Sequence, residues 1–325
     1  MTHENFVSAE RNAQSAFFAR TLAPELICDE ASYRLKEGQR LFNLASSIRD
    51  VASRYFGPPG PIVWHMHANH GLSSQACCLN FLMPLATQPD LLARLIAPAS
   101  GLTEIVMLPV ENGPDGEPWH VGFEWVGEHD YLSEWPAGKP PTRGANATSA
   151  DAIVRFRHEG RIETVLIEWK YTEAYGAPLD PKGNPTREAR YSGKVFAPDG
   201  PIRSDRDLKL AFFFWEPFYQ LLRQQMLAWR MERANENSAE KVSVLYISPT
   251  NNTHLHKVTS LSLGLPSDDI FSVFRSLLVE PDRFVSCTTE QVFSPLLGLD
   301  HTDPAAREWA AYLRDRYNFL SANRK

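Results

Sequence analysis

Hydrophobic and polar residues alternate most regularly in two neighbouring stretches near the middle of the chain. Val165-Leu166-Ile167-Glu168-Trp169-Lys170-Tyr171 reads as an extended strand, in which successive side chains point to opposite faces. Glu168 and Lys170 therefore share one face, and Val165, Ile167, Trp169 and Tyr171 the other. Asp151-Ala152-Ile153-Val154-Arg155-Phe156-Arg157 is a second strand, joined to the first through His158-Glu159-Gly160, a tight hairpin connection. An Asp that opens one strand and a Glu-x-Lys that closes its partner meet at one edge of a sheet.

The same reading extends outward. Trp119 to Val126 alternates as a strand with Val121, Phe123 and Trp125 on one side and Glu124 on the other, and Val242 to Ile247 is a further strand. From Glu4 to about Tyr55 the chain reads as helical, with Leu41, Leu44, Ile48, Val51 and Tyr55 at three- and four-residue spacing, until Gly57-Pro58-Pro59-Gly60 stops it. Ser73 caps a helix whose apolar face is Ala76, Leu79 and Leu82, and Pro89 to Ile96 is another. Pro217 opens a helix buried through Phe218, Leu221, Leu222 and Met226, with Gln220, Arg223 and Gln224 on a polar stripe read as a solvent face. Asp268 to Leu278 and Pro304 to Tyr317 read as terminal helices; Pro136 to Gly144 is a loop, and Ala177 to Asp207 carries turn chemistry throughout. The order helix, three strands, helix, strand predicts an α/β protein with a mixed sheet flanked by helices. The expected division is a helical amino-terminal extension (1–60), a core (61–255) and a helical carboxyl-terminal addition (256–325), together one compact unit.

Composition changes this picture little. With 325 residues, 43% of them hydrophobic, a sizeable core is available. No leader pattern or membrane-spanning apolar run is found, which predicts a cytoplasmic protein. Cys28, Cys77, Cys78 and Cys287 lack zinc-site spacing and are read as structural, with neighbouring Cys77 and Cys78 as small buried apolar residues on a helix. The net charge of -6 means that a nucleic-acid partner would need a local basic groove.

The chemistry lies in the hairpin. Two carboxylates on neighbouring strands are hard oxygen ligands suited to magnesium, with manganese as the alternative, and Lys170 adds a fixed positive charge beside them. Such a set can hydrolyse a phosphodiester, because the metal activates water and the lysine favours charge that develops on the phosphate. Glu124 is a candidate third acid or an exposed strand residue; Gln75, Glu173 and Gln220 are auxiliary candidates, and Gln75 or Asn80 could reach the site through a water. Arg187, Arg190 and Lys194, in the long loop after the Glu168 strand, are candidate nucleic-acid contacts or part of a solvated loop.

Asp151 followed by Glu168-Trp169-Lys170 resembles the PD-(D/E)XK nuclease superfamily. More narrowly, Arg143-Gly144-Ala145-Asn146-Ala147-Thr148-Ser149-Ala150-Asp151 with Glu168-Trp169-Lys170-Tyr171-Thr172-Glu173 is similar to an uncharacterised bacterial family described as restriction-endonuclease-like, over about residues 64–252. The resemblance implies an αβββαβ core. It also implies a metal held by Asp151, Glu168 and the backbone carbonyl of Trp169, with Lys170 acting on the water. DNA is the implied substrate, and a homodimer is the assembly considered. In that superfamily the first core helix often adds a Glu, whereas Gly71 to Met83 contains no acid; some members carry Gln-x-x-x-Tyr on the later helix, where this chain has Gln220 and Gln224.

Two other readings stand beside it. One is a nucleic-acid- or protein-binding module that keeps the fold without turnover. The other is a zinc hydrolase built on His65, His67 and His70, since His-x-His-x-Asn-His resembles a metallo-β-lactamase zinc motif. That family places Asp where Asn69 stands, and nothing around His129-Asp130 or His254 matches its later ligands.

Overall fold

A computed structural model describes residues 2–58, 62–139, 141–145 and 147–321. Pro59 and Gly60 of the expected helix stop, and Asn146 of the Arg143 to Asp151 motif, lie outside the described residues. The chain opens with α1 (His3–Thr21), α2 (Arg49–Tyr55), α3 (Ser74–Leu82) and α4 (Pro89–Ala99). The strands β1 (Val106–Leu108), β2 (Glu111–Asn112), β3 (Pro118–Trp119), β4 (Val121–Trp125), β5 (Ala150–His158) and β6 (Arg161–Trp169) follow. Then come α5 (Asn184–Val195), α6 (Phe218–Arg233), β7 (Lys241–Ser248), α7 (Ile270–Leu277), β8 (Phe284–Thr288), α8 (Thr289–Leu297) and α9 (Pro304–Arg316).

The main sheet is mixed. Strands β5 and β6 pair antiparallel from Ala152 opposite Ile167 to His158 opposite Arg161, so Glu159 and Gly160 form a two-residue hairpin loop. Both have positive φ, 48° and 84°, as a type I′ turn requires. The other edge of β5 is shared: β4 covers Ala150 to Val154 and β1 covers Arg155 to Arg157. Strand β7 joins β6 in parallel and β8 joins β7 in parallel, while β2 and β3 form a separate small ribbon.

From Ala152 onward, alternation along β5 and β6 divides the core between two layers. Ala152, Val154, Phe156, Val165, Ile167 and Trp169 pack with α3, α4, α8 and α9. Ile153 and Leu166 pack with α6 and α7. Ile167 is fully buried, so truncation to Ala would cost about 2–5 kcal/mol through weaker packing and a residual cavity. The α/β class with a helix-flanked mixed sheet is therefore as the strand pattern predicts, and no helix among the described residues is long and apolar enough to cross a membrane.

Several local expectations fail for identifiable reasons. Only α1 and α2 are α-helices between residues 4 and 55; the stretch between them is a bridge of Ile27 to Leu35 and short 3₁₀ turns. Successive 3₁₀ turns can also place apolar residues three apart, which imitates an α-helical spacing. The expected loop after β6 contains the twelve-residue α5, whose Pro185 sits in the first turn of the helix, where a proline starts a helix as readily as it makes a turn. Trp125 does not share a side with Val121 and Phe123 but packs in the α6 layer, because Glu124 takes a left-handed φ of 51° and turns the strand over. The carboxyl-terminal segment is not purely helical, since it supplies β8 to the sheet.

Candidate active site

Three carboxylates stand in one rank across three strands. Asp151 lies between Ala150, opposite Trp125, and Ala152, opposite Phe123, so Glu124 is its neighbour on β4. On the other side Ala152 pairs with Ile167, which makes Glu168 its neighbour on β6. Asp151 Oδ2 accepts a hydrogen bond from the Trp169 backbone N–H at 2.7 Å, tying the two strands where the rank crosses them. Lys170 Nζ donates to Glu168 Oε1 at 2.5 Å, and both residues are buried.

The left-handed backbone at Glu124 re-aims its carboxylate toward the α3 layer. There Gln75 Nε2 donates to Glu124 Oε1 at 2.7 Å and His65 Nε2 lies 3.2 Å from the same oxygen. Non-glycine residues reach positive φ only at a conformational cost, which surrounding contacts must hold in place. Here Gln75 also accepts the His65 N–H, and Ser149 Oγ donates to Glu124 Oε2 at 3.1 Å. From the opposite layer, Gln224 Nε2 on α6 donates to Glu168 Oε2 at 2.6 Å and to the Ser149 carbonyl at 2.7 Å. Two glutamines from helices on opposite faces thus clamp the outer acids of the rank.

Like charge is crowded in this arrangement. Burial, then Glu168, and further Glu124 hold the Asp151 carboxyl well above its ordinary pKa, against the opposing pull of Lys170. Burial disfavours the Lys170 ammonium, but Glu168, with Tyr175, Asp151 and Glu173 behind it, outweighs burial and raises its pKa well above the lysine range. His65 follows the same logic: burial opposes its protonation, yet the Glu124 hydrogen bond and charge raise its pKa.

The segment that delivers Asp151 is braced on both sides. Arg143 donates to the Phe123 carbonyl and pairs with Glu111 at 2.9 Å, and its guanidinium stacks on Tyr55 and Trp125. Buried Glu134 accepts from the Thr148 N–H at 2.5 Å, from the Thr148 hydroxyl at 3.0 Å and from Tyr191 of α5.

Of the auxiliary candidates, Gln75 bonds Glu124 directly, whereas Asn80 is turned to Asn43, Ala45 and Tyr317 and is not part of the site. Glu173 accepts the Tyr171 N–H, and Gln220 accepts from the Tyr175 hydroxyl. Arg187 is held by the Asp180 carbonyl and Asn184 and lies over the rings of Phe214 and Tyr219; Lys194 donates to Ser133. Arg190 makes no side-chain hydrogen bond or ion pair among the described residues. The histidines do not converge: His65 faces Glu124, while the His67 and His70 rings lie 5.6 Å apart. Among the described residues no group of three or more His, Cys, Asp or Glu side chains could hold a metal ion by itself.

The solvent-face expectation for Gln224 is corrected, because it is buried and bonded to Glu168. Its spacing carried the signal: it follows buried Leu221 by three residues and precedes buried Ala228 by four. Tyr246, fully buried and opposite Glu168 in the β6–β7 register, is a further site neighbour that sequence reasoning missed, and its hydroxyl has no partner among the described residues. Tyr175, set beside Lys170 by the turn after β6, carried no periodic signal.

Comparison with known proteins adds one finding. A family model described as restriction endonuclease associating with ARP matches residues 11–318, and the chain belongs to this family. No curated protein and no solved structure matches the chain.

Proposed function

We propose that the protein is a metal-dependent nuclease of the PD-(D/E)XK type that hydrolyses phosphodiester bonds in DNA. The observation that carries this reading is the rank Glu124, Asp151 and Glu168 with the Lys170 ammonium bonded to its end. Membership of a family described as a restriction endonuclease supports DNA as the polymer.

The donor set fits magnesium or manganese. Both are oxygen-seeking ions, and magnesium commonly takes one or two protein carboxylates and completes its shell with water and substrate phosphate. The mutual crowding of Asp151, Glu168 and Glu124 is what a divalent cation would relieve, and each Glu168 oxygen keeps a second lone pair beyond its Lys170 or Gln224 bond. Asp151 and Glu168, with the Trp169 carbonyl, would hold the ion, which supplies an activated water and a Lewis acid for the phosphate. Lys170 contributes a preorganised positive charge where negative charge grows in the transition state. Gln224 fixes the Glu168 rotamer, and His65 with Gln75 fixes Glu124.

The experiment is incubation of purified protein with plasmid and linear DNA in magnesium, manganese or chelator. Metal-dependent nicking or degradation, abolished by chelator and by Glu168→Gln, is the expected result. Binding without cutting under every metal would replace this reading with a binding module of the same fold, which the net charge of -6 and the absence of an acid on α3 favour.

A further inference from the structure

Beside the carboxylate rank lies a pocket of about 490 Å³ whose wall includes Arg11, Arg34, His65, His67, His70 and Ser74. Its position is fixed by two residues with a foot in each place. His65 lines the pocket and also contacts Glu124 at 3.2 Å, and Glu173, whose charge acts on Lys170 of the rank, lines it too. The pocket therefore opens alongside the rank.

Its walls are built by backbone pairing. Arg34 and His70 form a β-bridge, the Leu35 N–H donates to the Asn69 carbonyl, and Asn43 donates to the Ala68 and His70 carbonyls. Gly71 packs where a Cβ would lie 2.8 Å from Gln14 of α1, so the loop is pressed onto that helix. The Arg11 and Arg34 guanidinium groups each lie over the ring of Tyr33, 5.4 Å from its centroid.

Arg20, Arg54, Arg143, Arg203 and Arg283 each hold a carboxylate. Among the described residues, neither Arg11 nor Arg34 has a carboxylate partner or a side-chain hydrogen bond. The positive field they create is visible at His70, whose pKa is pushed down to about 4 by burial and then by Arg34, His67 and Arg11. In a chain of net charge -6, two unpaired guanidiniums over one ring mark a place that favours an anion.

We infer that this pocket holds a phosphate group of a nucleic-acid strand, next to the phosphodiester presented to Glu124, Asp151 and Glu168. The site rests on the nuclease reading for its ligand class, but its test is binding, not cleavage. Arginine presents a planar fork of donors that matches phosphate oxygens, and the imidazoles of His67 and His70 offer further donors at the rim. The amino terminus that passes over the core thereby becomes part of substrate binding.

The test measures binding of a fluorescent DNA duplex in EDTA across a salt series, for wild type, Arg11→Gln, Arg34→Gln, the double variant, and Arg233→Gln as a control. The slope of log affinity against log salt should fall in steepness by about one in the double variant and by part of that in each single variant, because the one phosphate that the pair neutralises adds ~0.9 to that slope. Arg233 lies over Trp229 at the carboxyl end of α6, and its variant should keep the wild-type slope. Single strands with 5′-phosphate or 5′-hydroxyl separate two sources: a terminal phosphate in the pocket makes the wild type favour the phosphorylated strand, and the double variant loses that preference. With an internal phosphate in the pocket, the wild type shows no such preference and the double variant weakens binding of both strands equally. An unchanged slope in Arg11→Gln and Arg34→Gln proteins that melt like wild type overturns the site, as does a wild type that binds neither DNA. A reduced slope in a protein that never cleaves supports the pocket while removing the nuclease reading.

Discussion

Gln224 Nε2 donates to Glu168 Oε2 at 2.6 Å and to the carbonyl of Ser149 at 2.7 Å, so one buried amide holds the carboxylate of β6 and the entry to β5 in register. Replacing it with Ala leaves a charged acceptor and a carbonyl without their donor. We expect Gln224→Ala to lose about 1–3 kcal/mol of stability and at least roughly tenfold in turnover. Denaturant melts and cleavage kinetics check both, and unchanged cleavage would mean that Glu168 needs no such support.

Lys170 separates an enzyme from a binding module. Turnover in a Lys170 variant should fall at least roughly a hundredfold, the order for removing one preorganised charge, while DNA affinity stays within a few-fold. From sequence alone Lys170→Ala is expected to fold normally, as a charge removed from a polar edge. Its burial against Glu168 changes that expectation, because an orphaned buried carboxylate typically costs about 3–5 kcal/mol. Lys170→Ala paired with Glu168→Gln should recover much of the stability without any activity; melting both variants decides it.

The metal assignment predicts magnesium or manganese binding by calorimetric titration, weakened at least roughly tenfold in Asp151→Asn and Glu168→Gln. Glu124→Gln should weaken it less, because Gln75 and His65 already engage that carboxylate. Stoichiometric zinc lost in His67→Ala would point to the histidine loop instead.

Salt dependence sorts the basic residues of α5. The Arg190 side chain makes no hydrogen bond or ion pair among the described residues, so Arg190→Gln should lower the salt slope of DNA binding by about one if it touches a phosphate. Arg187 is spent on Asp180, Asn184 and two rings, and Arg187→Gln should lower stability and leave the slope alone.

Glu10 on α1 predicts a pH effect on stability. Burial raises its pKa from 4.5 to about 7, against the Tyr171 hydroxyl that donates to it at 2.5 Å and with a further push from Glu290. The folded state therefore holds the proton more tightly than the unfolded chain. The stability this confers is complete below pH 4.5, declines as pH rises through the interval and is gone above about 7. Glu10→Gln, which keeps an acceptor for Tyr171, should flatten that decline, by up to roughly 3 kcal/mol at ~1.4 kcal/mol per pH unit. Parallel pH profiles of the two proteins that superimpose would refute it.

The sequence by itself determined the hairpin and the two faces of its strands. A period of two is a local property of extended backbone, so Glu168 and Lys170 had to share a face, and two residues with positive φ between the strands fixed their register. From that register alone Asp151 must stand opposite Glu168. What only the tertiary structure decided was everything that reaches the rank from elsewhere. Glu124 joins it because a left-handed φ on a third strand turns its carboxylate toward Gln75, and such a reversal leaves the alternation of residues unchanged. Gln224 and Tyr246 approach from α6 and β7, whose crossover places side chains more than fifty residues away against one carboxylate. Arg11 lies on α1 and Arg34 in the non-helical stretch that follows it, and only the packing of α1 against the loop of His65 to His70 brings their charges beside the site. Local periodicity reports which face a residue takes; which distant face it meets is set by how the layers pack.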